Sequence, residues 1–397
     1  MVKKTNQTPV VIVGGGVTTW GVIRGLRGNG IPIYVVSQNP EEPWLKSRYI
    51  QKTFILNPNS QDYVSSLIRV LDKSIKGKPI LFIAGDDDAL EVLSQNHKEL
   101  SKSAILSFPD WNVVSSVIDK HKTYKLAEDL CIPTIQTRSF ENQKQLNQYL
   151  VSDNKLNYPV FLKSIYSRRF LSLYKTKGII CNSDQEVSDA YAKYDGINNS
   201  VILQEYLKGD VDNIYAALLV LDKDSNIISS FVNEKICAAS YLGSTSLSIS
   251  RKNQKLVEYA SMIASRLHYY GVVGVQFKYD PDYNNYKLLE INGRFSVSIA
   301  LAVRCGLNYP LLLYKCLDSK DYSKLIIRNY SKNIILWYPL NEIKSFFTLK
   351  YYIGIDRLFG LGYLVEPFSL RDPFPSIIII FRIFKKIIRK LYAKNIN

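Results

Sequence analysis

The sequence is short of cysteine, of long apolar runs and of acidic charge, and each shortage narrows what the protein can be. Its five cysteines, Cys131, Cys181, Cys237, Cys305 and Cys316, are odd in number and far apart. Without a C-x-x-C pair or a Cys/His cluster at zinc spacing, they exclude a disulfide scaffold and a zinc ribbon. They read as reduced thiols of a cytoplasmic protein. No stretch reaches the roughly 20 apolar residues of a membrane span. The opening MVKKTNQTPVVIVGGG reads as a short strand ending in glycines, not as a secretory leader. A soluble or peripheral protein is expected.

Acidic residues number 35 against 51 Lys and Arg, a formal charge of +16. An excess of this size points to an anionic partner: nucleic acid, acidic lipid or a phosphorylated ligand. Part of it belongs to the tail, where Arg371–Asn397 holds seven basic residues and one Asp. No recognised nucleic-acid motif is present, and the basic excess sits beside aliphatics rather than in an aromatic stacking platform, so no nucleic-acid partner is expected. The 397 residues, 46% hydrophobic and 12% aromatic, suffice for two or three packed domains and exclude general disorder.

PVVIVGGG (9–16), a helical stretch from Thr18 to Gly28 and the apolar run Ile31–Ser37 form a βαβ start, and PILFIAGDDDALEVLSQN from Pro79 repeats the pattern. This predicts a small doubly wound α/β domain over residues 1–115. A helix is expected to begin after Ser115 and end at Ile132-Pro133. YPVFLKS (158–164), GIICNS (178–183), a helix over 184–194 and SVILQEYL (200–207) follow. NIYAALLVL, NIISSFVNEKI and GVVGVQFKYD read as further strands, and YKLLEIN (286–292) as one that feeds a helix from about Ser296 to Cys305. The predicted fold class is therefore α/β with α+β lobes.

Gly14-Gly15-Gly16 invites a dinucleotide reading, but Thr19 stands where a third spaced glycine belongs, and Val35-Val36-Ser37 ends the second strand without an acid. Glycines that permit a tight strand-to-helix turn are the plainer reading. A second constellation carries more chemistry. Glu290 and Asn292, two apart on a strand, share a face, and a hairpin would bring Gln276 beside them. Three such oxygen donors suit Mg²⁺, or Mn²⁺, that takes its other ligands from phosphate and water. Arg294 falls just past the strand end, where a guanidinium can grip an anion. A solvated polar hairpin face is the alternative.

The stretch YKLLEINGRFSVSIALAVRCGLNYP resembles the E-x-N-P-R signature of ATP-grasp ligases, and VQF resembles the preceding metal-ligand strand of the carbamoyl phosphate synthetase branch. DKHKTYKLAEDLCIPT (119–134) looks like the opening of the small nucleotide-binding lobe, YPVFLKS like its phosphate-binding strand, VILQEYLKGDVDN like the hinge strand, and LKSRYIQKTFILNP like a segment of the D-aspartate ligase-like branch. The resemblance implies an ATP-grasp fold after the first α/β domain: a small lobe over 116–200, a large lobe with the metal site over 201–320, and a C-terminal segment over 321–397. It implies that Lys120, Lys163 and Lys177 meet phosphates, that Glu205 with the backbone of Tyr206 and Leu207 reads adenine, and that Asp212 faces the ribose. By the same resemblance Gln276, Glu290 and Asn292 hold magnesium, Lys235 reaches the phosphates or acyl phosphate, and Arg294 binds the acid substrate. Such chemistry rests on positioning and charge neutralisation.

Three departures stand out. Gly293 replaces the signature proline. The loop after Lys163, SIYSRRFLSLYKTKG, lacks phosphate-wrapping glycines, with Arg168 or Arg169 the substitutes by charge. Val297 occupies the place of a second arginine of the carbamoyl phosphate synthetase branch, which argues for an acid other than carboxyphosphate. The implied activity is an ATP-dependent carboxylate–amine ligase with an acyl-phosphate intermediate, joining an amino acid to a carboxylate such as a uronic acid in cell-envelope glycan or peptidoglycan precursor decoration. Ligation of two free amino acids and a non-catalytic nucleotide-binding protein are the alternatives. In the tail, Arg382, Lys385, Lys386, Arg389 and Lys390 fall on one helical face and Ile377, Ile380, Phe381, Ile383, Phe384, Ile387, Ile388 and Leu391 on the other. Two outcomes fit residues 376–397: contact with an anionic membrane at the inner face of the cell membrane, or packing of the apolar face on the body.

Overall fold

A computed structural model describes residues 7–75, 80–164, 174, 176, 178–194, 201–207, 213–238, 245–327, 329–339, 341, 362–366 and 368–394. Lys177, Asp212 and most of the loop after Lys163, with Arg168 and Arg169, lie outside the described residues.

The first sheet is fully parallel. Its strands are β1 (Val10–Val13), β2 (Ile33–Ser37), β3 (Ile50–Ile55), β4 (Ile80–Ala84) and β5 (Ala104–Leu106), in the order β3-β2-β1-β4-β5. Residues Val10 to Val13 are buried without alternation, as a strand covered on both faces must be. The covering helices are α1 (Val17–Leu26), α2 (Tyr63–Ser74), α3 (Asp87–Gln95), α4 (His97–Leu100) and α5 (Trp111–Ile118). α5 gives Val114 to the core of this sheet and Val117 to the next. The single helix expected after Ser115 is two: α5 starts earlier, and α6 (Lys120–Asp129) starts afresh because Asp119 leaves helical geometry and caps His121 and Lys122.

A four-stranded sheet follows, β6 (Thr137–Ser139), β7 (Val160–Ser164), β8 (Gly178–Cys181) and β9 (Val201–Glu205), in the order β6-β9-β7-β8. It is backed by α7 (Gln143–Leu150) and α8 (Asp184–Tyr194); among the described residues its main core runs from Phe140 to Leu203, while Ile202 packs with Tyr124 of α6.

The largest sheet holds β10 (Ile214–Leu221), β11 (Ile227–Ala238), β12 (Thr245–Arg251), β13 (Gly271–Asp280), β14 (Asn285–Asn292), β15 (Ile335–Trp337) and β16 (Tyr363–Val365), in the order β14-β13-β10-β11-β12-β15-β16. The helices against it are α9 (Gln254–Arg266), α10 (Ile299–Arg304) and α11 (Tyr309–Leu317), and the chain ends in α12 (Pro373–Lys394). Alternation along its strands decides where the site lies. Ala217, Leu219, Val232, Val273, Val275 and Phe277 point to one face and bury α9. On the opposite face, Leu218, Val220, Phe231 and Val272 pack with Val10, Ile12 and Ile23 of the first domain. Two residues further along, the same face turns polar, with Gln276, Ala216 and Asn233 in register across β13, β10 and β11. The shared face is apolar where the domains meet and carries polar side chains further along.

Candidate active site

β13 and β14 pair as an antiparallel hairpin with Gln276 directly opposite Glu290. Asn292 follows on the same face, and its amide donates to Glu290 Oε1 at 3.4 Å. All three side chains are half-buried. The set offers oxygen donors with one formal negative charge, which fits a Mg²⁺ that completes its shell with phosphate and water. Among the described residues no group of three or more His, Cys, Asp or Glu is arranged to hold a metal ion.

Three elements bring cations to this face. Lys120, the first residue of α6, is buried, and burial lowers its pKa, with the Lys163 charge adding to the effect and Glu290 opposing it. Lys163 projects from β7, and burial pushes it down to about 8, again against Glu290. Lys120, buried, and Lys163, half-buried, repel one another beside Glu290, and Asp87 also acts on Lys120. Tyr124, one turn along α6, lies in the same electrostatic neighbourhood, and its hydroxyl donates to Leu289 O at 2.9 Å. Lys235 stands on β11 in register with Ile214, which also pairs with Lys278, on the polar side of the sheet.

At the end of β9, Glu205 N donates to Gln136 O at 2.9 Å, and the Glu205 carboxylate accepts from Gln136 N at 3.2 Å and from Lys287 Nζ at 2.7 Å. Lys278 Nζ reaches Leu207 O at 3.2 Å. The Glu205 side chain is thus engaged by Lys287, while Tyr206 and Leu207 continue the chain at the strand end.

Arg294 extends from the end of β14 and meets a residue that sequence reasoning missed. Its Nε and Nη2 grip Asp87 at 2.6 and 2.7 Å, Nη1 donates to Phe295 O at 3.0 Å, and Nη2 reaches Asn292 Oδ1 at 3.4 Å. Burial works against this cation, but Asp87, with Glu290 and Asp86, raises its pKa overall. The Arg294 fork, expected to meet an acid substrate, is occupied by Asp87 of the same chain. The signal was the acidic run Asp86-Asp87-Asp88 after β4.

The glycine turn is also explained by carboxylates. Gly15 N donates to Asp86 Oδ2 at 2.8 Å and Gly16 N to Glu42 Oε2 at 3.3 Å. A Cβ on Gly14 would lie 2.6 Å from Asp86 Oδ2, and Gly14 and Gly16 have φ near +100°. Amides that would cradle a pyrophosphate face acids here, which disfavours the dinucleotide reading. Burial, opposed by bonds to Trp44 and Gly16, raises the Glu42 pKa. Glu42, Asp86 and Asp88 line a cavity of about 270 Å³ with the glycines.

The tail helix α12 packs against Pro43–Lys46 and bonds Glu41 through Arg382. Phe374, Ile377, Phe381 and Phe384 are more than half exposed. The described apolar residues of the predicted face are therefore split: Ile380 is half-buried, whereas Ile377, Phe381 and Phe384 face out. The side chains of Ile383, Lys386, Ile387, Ile388, Arg389, Lys390 and Leu391 lie outside the described residues. Among the described residues no helix is long and apolar enough to cross a membrane.

A family profile described as ATP-grasp in the biosynthetic pathway with Ter operon matches residues 235–332, which span Lys235, the hairpin and Arg294. The D-aspartate ligase of Enterococcus faecium is 25% identical over 256 residues, 62% of this chain and 61% of that protein. The carbamoyl phosphate synthase large chain of Clostridium botulinum is 25% identical over 362 residues, covering 86% of this chain but 30% of that protein. The chain therefore spans less than two thirds of the length of these relatives. Among solved structures, an ADP complex of N5-carboxyaminoimidazole ribonucleotide synthetase superposes with a TM-score of 0.63 at 16% identity over 80% of both chains, a likeness of fold. The chain is thus similar to an ATP-grasp family over residues 235–332, to D-aspartate ligase and carbamoyl phosphate synthase in sequence, and to N5-carboxyaminoimidazole ribonucleotide synthetase in fold.

Proposed function

We propose that the chain is an ATP-dependent carboxylate–amine ligase, and the observation that carries this is the convergence of Lys120 and Lys163 on Glu290. The lysines neutralise phosphate oxygens as charge moves during transfer. Gln276, Glu290 and Asn292 would hold Mg²⁺, which would supply positive charge to offset that of the transferring phosphoryl group. The γ-phosphoryl group passes to a carboxylate oxygen of the acid substrate, and ADP leaves with the electron pair of the broken bond. The amine nitrogen then attacks the acyl carbon, loses a proton, and phosphate departs as the amide forms. Arg294 orients the acid, in competition with Asp87, and Lys235 stands where it can reach the acyl phosphate. The acids beside the glycine turn favour an amine over an anion as the second substrate.

The substrate class we infer is an amino acid joined to a carboxylate of a cell-envelope precursor, either a uronic-acid glycan or a peptidoglycan unit. The exposed Phe374–Phe384 stripe with Lys385 beside it supports work at an anionic membrane surface. ADP release measured with a panel of uronic acids, amino acids and their pairs tests the activity. Release that requires both an acid and an amine is expected; nucleotide binding without release under any pair would leave only a nucleotide-binding protein. Cosedimentation with phosphatidylglycerol vesicles, comparing the full chain with one ending at Pro375, tests the surface role. Equal binding by both would remove it.

A further inference from the structure

A cleft of about 480 Å³ opens between α1, α10 and β16, on the far side of α1 from the glycine turn. Arg24 is eight residues past Gly16, roughly 12 Å along the helix at 1.5 Å per residue. Its charged lining is four arginines, Arg24, Arg27, Arg304 and Arg371, and one carboxylate, Glu366. The centre is built rather than incidental. Arg24 Nη2 donates to Glu366 Oε1 at 2.5 Å, with the side chains 10% and 0% exposed. The Arg24 guanidinium lies 4.3 Å from the Trp20 ring centroid, and Trp20 Nε1 is held by Asp372 at 2.9 Å.

This pair does not satisfy itself. Arg24 Nε and Glu366 Oε2 are buried with no hydrogen-bond partner among the described residues. Burial lowers the Arg27 pKa and the charges of Arg24 and Arg371 lower it further, which places these three guanidinium groups in one another's field. Asp372, the nearest other acid, is taken up by Trp20, the Ser47 hydroxyl and Arg48 N. Neither Arg24 Nε nor Glu366 Oε2 is open to an outside ligand. What the cleft presents is a surplus of four guanidinium groups over one paired carboxylate, and an outside dianion would offset that surplus.

We propose that this cleft binds a phosphate group, held by Arg24, Arg27, Arg304 and Arg371, at a site separate from the nucleotide. Guanidinium forks match tetrahedral oxyanions, and a dianion offsets more of the surplus than a carboxylate does. The phosphate belongs either to a soluble phosphorylated molecule or to a lipid headgroup. Arg371 lies two residues before the start of α12, whose exposed aromatic stripe would meet acyl chains.

The full chain, saturated with MgADP to fill the nucleotide site, is titrated with glycerol 3-phosphate by calorimetry and mixed in parallel with phosphatidylcholine vesicles with and without phosphatidic acid. Arg27→Gln/Arg304→Gln is compared, with folding checked by circular dichroism; Arg304→Gln alone, at an exposed position, serves if the pair disturbs the fold. Salt-sensitive binding by the unaltered chain that weakens at least tenfold in the pair, or measurably in the single variant, supports the site. Binding to glycerol 3-phosphate assigns a soluble ligand, and binding confined to phosphatidic acid vesicles assigns a headgroup. No binding to either at low salt, or equal binding by variants and unaltered chain, overturns the proposal. A variant that changes only the sedimentation coefficient also overturns it, since the arginines would then serve self-association.

Discussion

A lysine held at a pKa of about 8 is a poised charge, and Lys163 shows what burial does to a residue that looks ordinary in sequence. Lys163→Met is expected to weaken binding of a non-hydrolysable ATP analogue about 10- to 100-fold, the loss of one charged contact worth about 1.5–3 kcal/mol. Calorimetry checks it, and unchanged affinity with unchanged turnover would move the role to another lysine. The free protein loses this charge as pH rises through about 8, so affinity falls above that pH and binding there takes up a proton. The sign for stability is opposite: the unfolded lysine, near 10.5, binds more protons between the two values, so the nucleotide-free fold gains stability from this group as pH rises across that window. Titration in buffers of different ionisation enthalpy reads the proton uptake. Glu290→Ala and Asn292→Ala are each expected to lower ADP formation by a factor of about 100 or more with the fold intact, because both side chains are half-buried rather than in the core. ADP assays beside circular dichroism separate the two effects, and full turnover by either variant would remove it from the metal set.

At the scale of elements, the turn after β14 explains a departure from the signature. Gly293 stands where the signature has proline, and a Cβ there would lie 2.5 Å from Tyr269 Oη and 2.9 Å from Leu90 Cδ2. Tyr269 Oη also donates to Gly293 O at 2.8 Å, so the ring cannot swing away without breaking that bond. Gly293→Ala is therefore expected to destabilise by about 1–3 kcal/mol through overpacking. Urea unfolding measures this, and a change within a few tenths of a kcal/mol would show that the contact relaxes freely. The β13–β14 hairpin was legible in sequence because a period of two and a short polar turn fix which side chains share a face. The break between α5 and α6 was not: Asp119 caps a new helix inside a stretch whose composition stays helical. β12, β15 and β16 were not legible either, since β15 and β16 are three residues long and join the sheet through distant partners.

Across the whole molecule, the cores divide unevenly. The first domain and the large sheet share one core through Val10, Ile12, Ile23, Leu218, Phe231 and Ile299, whereas the main core of the small sheet runs from Phe140 to Leu203. A unit whose core is mostly its own opens independently of its neighbours. Hydrogen exchange is expected to show faster amide exchange in β7–β9 than in β10–β13 for the free protein, and slower exchange of β7–β9 once MgADP engages Lys163. Uniform exchange across both units, or no protection by nucleotide, would contradict this arrangement.

The sequence by itself determined what depends on neighbours along the chain. The parallel βαβ start and the shared hairpin face of Gln276, Glu290 and Asn292 follow from periodicity, as does the helical tail. Tertiary structure alone decided what depends on contacts between distant segments. Asp87 reaches Arg294 across 207 residues, Asp86 and Glu42 turn the glycine amides from phosphate donors into carboxylate partners, and Glu366 meets Arg24 across 342 residues. A charged side chain reads as a solvated surface group until the fold removes its water. Burial and the partner it then acquires set its charge and chemistry, and neither is written in local sequence.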